Sequence, residues 1–337
     1  SDDDGDGDGD GGGGGGGAAS GSAAAAPAAP VAATYRSLKV LTAGAVAGAC
    51  SRSTVAPLER VKIMMQVQDL MEGGKGVHGV RYNTIAQGLR GIYSNEGAKG
   101  LFKGNGTNVV RILPYSATQF FVFDKLKRVY GRMRGRDVND TNPGEKLILG
   151  SCAGAASVIV SYPLDFVRGR LSVQGANTSA RYTGIVNAIA TIARQEGVMK
   201  LYHGMQPSLV GIMPYVGIQF STYHTLKPLA MKKYGVTTDK ELPIWLSLAC
   251  GGVAGAAAQT AAYPFDLLRR RFQMQGFVGA GASEGYSSLT GAFKHVVRTE
   301  GVRGLYKGLA PNYAKVVPVI AVQFMVFEEM KKLLGIA

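Results

Sequence analysis

The sequence predicts an all-α membrane protein with six transmembrane helices in three pseudo-threefold repeats, each with a short amphipathic surface helix. Three observations lead to this prediction: a motif that occurs three times, six apolar segments long enough to cross a bilayer, and a composition low in charge. Charged residues make up 18% of the chain, whereas a soluble domain usually carries about 25%. The 48 glycines favour helices that approach one another closely in lipid.

The recurring motif is Pro-x-acid-x-x-base, which reads PLERVK, PLDFVR and PFDLLR in its three copies. Its prolines are Pro57, Pro163 and Pro264. Each copy is preceded by a Gly-x-x-x-Gly pair and followed by an acid–Gly element that ends in aromatic-x-Gly. Repetition of so many features in register predicts three copies of one structural unit.

The apolar segments of each unit predict its helices. About 20 residues suffice to cross a bilayer, and two segments in each repeat reach that length. They are 38–66, 107–130, 146–172, 206–229, 244–273 and 310–334. A proline inside the first segment of each repeat predicts a kink, which packed neighbouring helices tolerate. The stretches between the paired segments, such as 82–96, predict the short surface helices.

These elements also predict the domain boundaries. Residues 1–34 are rich in Asp, Gly and Ala, and we expect them to form a disordered tail because they can bury too little apolar surface. The three repeats then cover residues 35–135, 143–234 and 241–335.

Composition and motifs exclude several classes of function. The net charge of +14 suits an anionic solute or lipid, and no nucleic-acid-binding motif is present. Cys50, Cys152 and Cys250 form no CxxC pair, and four scattered histidines form no ligand set, so we predict no metal site and no cofactor. Because the P-loop, HExxH and GxSxG motifs are missing, the sequence predicts a transporter rather than an enzyme. A channel-like proton leak is the alternative from another class.

The three motif copies, with the acid–Gly and aromatic-x-Gly elements that follow them, resemble the signature of the mitochondrial carrier (solute carrier 25) family. The resemblance covers residues 36–335. Within the family, the stretches APLERVKIMMQVQ, GLFKGNGTN, YPLDFVRGRLSVQ and LYKGLAPNYAKVVP are similar to plant-type adenine nucleotide transporters. Coenzyme A carriers and fungal carriers of adenylated sulfate compounds are similar in several of them. The segment RRRFQM, residues 269–274, keeps only half of the RRRMMM motif of the bulk ADP/ATP translocase.

The resemblance implies an antiporter that exchanges AMP, ADP and ATP across the mitochondrial inner membrane by alternating access, with its surface helices on the matrix side. The alternative substrate within the family is coenzyme A or an adenylyl sulfate. The family also implies a monomer that binds membrane lipid, cardiolipin above all, and no nucleic acid. Chloroplast and peroxisomal membranes are the alternative locations.

By analogy with the family, the acids and bases of the three motifs form a ring that closes the matrix side. The acid and the base of each motif lie about one helical turn apart, so each acid can reach the base of another repeat. The implied pairs are Glu59–Arg168, Asp165–Arg269 and Asp266–Lys62. A purely structural ring of salt bridges is the alternative interpretation.

A second gate is predicted at the opposite, cytoplasmic side from the pattern aromatic-acid-x-x-base. The implied pairs are Asp124–Lys227 and Glu328–Lys127. In the middle repeat His224 stands where an acid is expected, which leaves Lys331 without its partner. We therefore predict a weaker cytoplasmic gate.

The substrate site is predicted where the repeats differ, because a substrate has no threefold symmetry. Three residues before the second proline of each repeat stand Arg111, Gly211 and Lys315. The two cations suit phosphate or sulfate groups, whereas Gly211 with Ile212 offers an apolar face for a flat purine.

Three further residues complete the predicted substrate site. Tyr215 is a candidate to stack on the base, with packing an equally good interpretation. Arg52 and Arg270 match cations of nucleotide carriers. We interpret the whole set as a site for an anion that carries several charges.

Four glycines match the lipid-contacting positions of the family, where backbone N–H groups near a helix N-terminus meet a phosphate. They are Gly104, Gly184, Gly204 and Gly308. Simple termination of helices is the alternative explanation.

Overall fold

A computed structural model describes residues 29–71, 76, 79–135, 142–175, 182–235, 243–277, 286 and 288–335. Eleven α-helices lie in the described part of the chain. In order they are α1 (Ala29–Val67), α2 (Ile85–Leu101), α3 (Asn105–Val110), α4 (Ile112–Arg134), α5 (Pro143–Val173), α6 (Ile185–Gln195), α7 (Met205–Tyr234), α8 (Ile244–Met274), α9 (Leu289–Gly304), α10 (Leu309–Ala314) and α11 (Val316–Leu333).

Each repeat contains the two long helical segments and the short helix that the sequence predicts. The first long helices are α1, α5 and α8, the short helices are α2, α6 and α9, and the second segments are α3–α4, α7 and α10–α11. Helix α4 packs against α5, α7 against α8, and α11 against α1, so that the long segments close a ring.

The first helix begins earlier than expected. Helix α1 starts at Ala29, inside the stretch 1–34 that we expected to be disordered, and Ala-rich sequence has the strongest helix propensity. Pro30 is compatible with this start because the first turn of a helix has no partner for its N–H groups. Residues 1–28 of the predicted tail lie outside the described residues.

Two of the second segments are divided near a proline, whereas α7 continues through the equivalent Pro214. Proline has no N–H to donate to the carbonyl four residues earlier. Helix α3 ends at Val110, four residues before Pro114, and α10 ends at Ala314, four residues before Pro318. The breaks fall beside Arg111 and Lys315, in the first third of each segment.

Buried Arg–Glu pairs attach the surface elements to the long helices. Arg60 lies 2.8 Å from Glu96, with both side chains 1% exposed. The other repeats repeat the contact at 2.7 Å in Arg170–Glu196 and at 2.8 Å in Arg271–Glu300. These pairs were not predicted, because Arg60 lies three residues after its proline whereas the other two arginines lie seven residues after theirs. Positions four residues apart share one helix face, so the same contact is made from either turn.

Hydropathy alone identifies fewer spans than the fold contains. Only Gly144–Val173 and Leu309–Leu333, among the described residues, are long and apolar enough by composition to cross a membrane. The remaining long segments carry more charged residues, such as Glu59, Arg60 and Lys62 of α1, and these lower the mean hydropathy. Assignment to a membrane therefore depends on the repeat pattern rather than on hydropathy.

Candidate substrate site between two gates

The C-terminal halves of α1, α5 and α8 converge at one end of the bundle, here called the closed end. Three ion pairs connect the helices there, and each joins an acid of one repeat to a base of another. They are Glu59–Arg168, Asp165–Arg269 and Asp266–Lys62. The last pair measures 2.5 Å between Lys62 Nζ and Asp266 Oδ2. The structure thus contains all three pairs that the family resemblance implies.

Two glutamines that sequence reasoning missed add to this network. Gln66 donates to the Tyr263 hydroxyl at 3.1 Å and to Asp266 at 3.4 Å. Gln273 donates to the Tyr162 hydroxyl at 3.1 Å and to Asp165 at 3.2 Å. The available signal was a glutamine nine residues after the first and third motif prolines, with Ser172 at that position in the second repeat.

A polar cavity of about 240 Å³ lies directly above the closed end. Three of the predicted substrate cations, Arg111, Arg270 and Lys315, line it together with the residues of the ion-pair ring. Arg52 does not line this cavity; its guanidinium donates to the carbonyl of Asn108 at 3.4 Å. Asn108 in turn donates to Glu59 at 3.4 Å, so Arg52 lies beside the cavity rather than in its wall.

An apolar slot of about 180 Å³ adjoins the polar cavity. The predicted purine-facing residues Gly211, Ile212 and Tyr215 line it, opposite Phe265 of α8. A Cβ at position 211 would lie 3.0 Å from the Cβ of Phe265. Glycine therefore keeps this slot open. The seven predicted substrate residues separate into a cationic set, an apolar set and the outlying Arg52.

The cavity cations are bound to the acids of the closed end. Lys315 Nζ lies 2.9 Å from Glu59 Oε1. Arg270 Nη1 lies 3.5 Å from Asp165 Oδ2, and Arg111 Nε lies 3.9 Å from Asp165 Oδ1. An anion entering the cavity would therefore compete with these two carboxylates for the same cations.

At the opposite end of the bundle, here called the open end, carboxylates bind bases of their own helix. Asp124 lies 2.8 Å from Arg128 of α4, and Glu328 lies 2.9 Å from Lys331 of α11. Their side chains are 57% and 55% exposed. The ring of His224 lies 4.0 Å from that of Phe220, and Lys227 lies over Tyr223 at 5.5 Å. This end is accessible to solvent, whereas the closed end is buried.

Comparison with known proteins decides the family. The sequence profile described as Mitochondrial carrier protein matches residues 33–134, 139–234 and 240–336, almost the whole chain. This protein belongs to the mitochondrial carrier family. The predicted three-repeat all-α fold is thereby confirmed.

Individual relatives agree with this assignment. The carrier is 44% identical to the mitochondrial adenine nucleotide transporter ADNT1 of Arabidopsis thaliana, over 88% of this chain and 87% of that protein. It is 40% identical to solute carrier family 25 member 16 of Bos taurus, over 88% of each chain. It is 36% identical to the human mitochondrial adenyl nucleotide antiporter SLC25A25, over 88% of this chain but 59% of that protein. These names support the predicted location in the mitochondrial inner membrane.

Three of the predicted lipid-contacting glycines pack the carrier's repeats together. Gly104, Gly204 and Gly308 have φ between 82° and 86°, the left-handed region that disfavours side chains. A Cβ at each would lie 3.1 Å from the backbone carbonyl oxygen of Arg168, Arg269 and Lys62, respectively. Each glycine thus packs on an ion-pair base of another repeat. Gly184 differs, since its φ of 179° is extended and its Cβ would meet open space.

The middle repeat also differs in the residue before Gly204, the equivalent of Gly104 and Gly308. Lys103 and Lys307 of the first and third repeats bind Glu96 and Glu300 at 2.6 Å, whereas the second repeat has His203, whose Nε2 lies 2.6 Å from Gln275 Oε1. Burial lowers the pKa of His203, although this hydrogen bond opposes the shift. The neutral imidazole is therefore favoured, and the second repeat lacks the positive charge of its equivalents.

The close approach at Gly204 leads to a prediction about stability. We expect Gly204→Ala to lower the midpoint of thermal unfolding of the purified carrier. The left-handed backbone costs an alanine about 1–2 kcal/mol, and its Cβ would also press on the Arg269 carbonyl. Gly235→Ala is the matched control, because Gly235 has φ of 66° and nothing within 4 Å of a Cβ. Equal losses in the two variants would contradict the packing role.

Proposed function

We propose that this carrier exchanges adenine nucleotides (AMP, ADP and ATP) across the mitochondrial inner membrane by alternating access. The observation that carries the proposal is the apolar slot beside a cavity with three cations, which together match a flat base attached to a polyanionic phosphate chain. The printed names of two relatives, an adenine nucleotide transporter and an adenyl nucleotide antiporter, support the same substrate.

The chemistry of the lining residues fits this substrate. Arg111 and Arg270 present planar guanidinium groups that bind phosphate oxygens through two hydrogen bonds at once, and Lys315 adds a point charge. A monocarboxylate has too little charge for this set. The carrier moves its substrate without changing a covalent bond, so we propose transport and no catalysis.

Competition for the cations couples the binding of a nucleotide to the opening of the closed end. Phosphate oxygens that bind Lys315, Arg111 and Arg270 replace Glu59 and Asp165 as their partners. Each of those acids then has fewer cations around it, and the ion-pair ring at the closed end is weakened. We assign this ring to the matrix gate, which is shut in the conformation described above.

The cytoplasmic gate is open in this conformation. When the carrier closes around a nucleotide, Asp124 and Glu328 exchange the bases of their own helices for Lys227 and Lys127 of other repeats. His224 supplies no carboxylate for Lys331, so this gate has one ion pair fewer than the matrix gate.

A carboxylate at position 224 tests this gate. We expect His224→Asp to bind Lys331 when the cytoplasmic end closes and so to increase the population of the matrix-open conformation. The measurement is the rate at which a membrane-impermeant thiol reagent labels a cysteine placed at the buried Ser172, with the native cysteines replaced. His224→Asn is the control that adds no charge. Identical labelling rates in wild type and His224→Asp would show that position 224 has no part in a gate.

Cardiolipin and the monomeric state belong to the same proposal. Gly104, Gly204 and Gly308 precede helical segments and Gly184 precedes α6, so that backbone N–H groups can meet lipid phosphates there. Since His203 replaces a lysine, we expect lipid bound at the second repeat to be held less tightly. Internal pseudo-symmetry places a complete cavity in one chain, which fits transport by a monomer.

The substrate proposal is tested by uptake into liposomes that contain the purified carrier and internal ADP. External AMP, ADP, ATP, coenzyme A and an adenylyl sulfate are compared, with protein-free liposomes as the blank. We expect the adenine nucleotides to exchange fastest. Faster exchange of coenzyme A or of the adenylyl sulfate would replace the proposed substrate by that compound, and exchange of none would refute the proposal.

A further inference from the structure

Gln259 lies at the junction of the apolar slot and the polar cavity. It lies on α8 on the same face as Ala262, Asp266 and Arg269, at positions that recur every three or four residues. Three residues line both the slot and the cavity: Gln259, Asp266 and Arg269. A side chain at this junction can contact the base and the phosphate chain of one bound molecule.

The other two shared residues are already engaged within the protein. Asp266 binds Lys62, and Arg269 binds Asp165. The Gln259 carboxamide, in contrast, makes no hydrogen bond to any other residue that the structure describes. Its half-buried donor and acceptor are therefore available to a ligand.

Two glutamines at the closed end have a structural role and serve for comparison with Gln259. Gln66 and Gln273 are fully buried, and both donate to a tyrosine hydroxyl and an aspartate. Gln259 has no such partners and faces open space. It is also unlike its equivalents five residues before the other motif prolines, Arg52 and Val158, so that only one repeat provides a carboxamide at this position.

We infer that Gln259 determines base specificity by binding the amine-bearing edge of adenine. A carboxamide presents one acceptor and one donor side by side, and adenine presents its amino group next to a ring-nitrogen acceptor, so the two groups form a bidentate pair. With the base in the slot against Ile212 and Tyr215, its edge points towards the junction where Gln259 lies. This inference rests on the proposed exchange of adenine nucleotides.

The test compares ADP with purine riboside 5′-diphosphate, which lacks the exocyclic amine, as external substrates for carrier in ADP-loaded liposomes. We expect the wild type to prefer ADP by about tenfold, the discrimination typical of one bidentate base contact. Gln259→Leu should bring this ratio close to one. Gln219→Leu is the matched control, because Gln219 of α7 is exposed and lines neither cavity, and it should keep the wild-type ratio.

Distinct outcomes separate the inference from the proposal on which it rests. An unchanged ratio in Gln259→Leu, or a wild type without preference for the amine, overturns the inference while adenine nucleotide exchange stands. A wild type that exchanges neither compound refutes the proposed function itself. If Gln259→Leu does not transport, the rise in its thermal unfolding midpoint with each nucleotide replaces the uptake ratio. A surviving difference between the two nucleotides then overturns the inference.

Discussion

Lys315→Ala is expected to reduce ADP exchange by about tenfold to a hundredfold, because a hydrogen bond to a charged group contributes about 1.5–3 kcal/mol. Most of the effect should fall on substrate binding, and the closed end should weaken only in part because Glu59 loses one of its two cations. Glu59, which binds Lys315 at 2.9 Å, keeps its ion pair with Arg168 after the substitution. Initial uptake rates over a range of external ADP concentrations measure the change.

The matched control for this experiment is Lys332→Ala in α11, which begins directly after Lys315. Lys332 is 63% exposed and binds Glu329 one turn away at 2.8 Å, so we expect exchange at the wild-type rate. Arg111→Ala should behave like Lys315→Ala because both cations line the polar cavity. Undiminished exchange in both cavity variants would disprove the assignment of the substrate site.

Asp165→Asn is expected to open the closed end. Asp165 is 2% exposed and lies among Arg269, Arg270 and Arg111. An amide leaves these guanidinium groups without their carboxylate, and breaking a buried ion pair typically costs about 3–5 kcal/mol. The matrix-closed conformation bears this cost, so the population shifts to the matrix-open conformation. Faster thiol labelling of a cysteine at Ser172, next to the ring, would report the shift.

Glu329→Gln provides the control for this variant. Glu329 binds Lys332 one turn along α11 with its side chain 61% exposed, and such helical pairs contribute only about 0.3–0.5 kcal/mol. Labelling at Ser172 should therefore be unchanged. If Asp165→Asn left the labelling rate at the wild-type value, the ring would be a structural element and not a gate.

The ring itself could be predicted because the register and the family resemblance act together. An acid and a base at fixed distances from a proline, repeated three times, can pair between converging helices, and the resemblance supplies the order of the pairs. The pairs Glu59–Arg168 and Asp165–Arg269 followed from that order. The division of the substrate residues into a slot and a cavity was harder to predict from the sequence, because it depends on how α7 and α8 cross.

Contacts that break the repeat pattern were not predictable in the same way. Gln66 and Gln273 occupy equivalent positions in two repeats, and Ser172 occupies that position in the other repeat. Superposition of the repeats therefore gives no consensus residue there. Arg52 was expected in the cavity, but its side chain donates to the Asn108 carbonyl. The direction of a long side chain depends on its local neighbours, which the spacing of motifs does not specify.

The central claim is that this carrier exchanges one adenine nucleotide for another through two alternating gates. The most direct test is ADP uptake by the purified carrier into liposomes with internal ADP and into otherwise identical liposomes without nucleotide. Our account predicts uptake that requires internal ADP and that falls to the protein-free level in its absence. Equal uptake into both sets of liposomes would contradict exchange and indicate a channel.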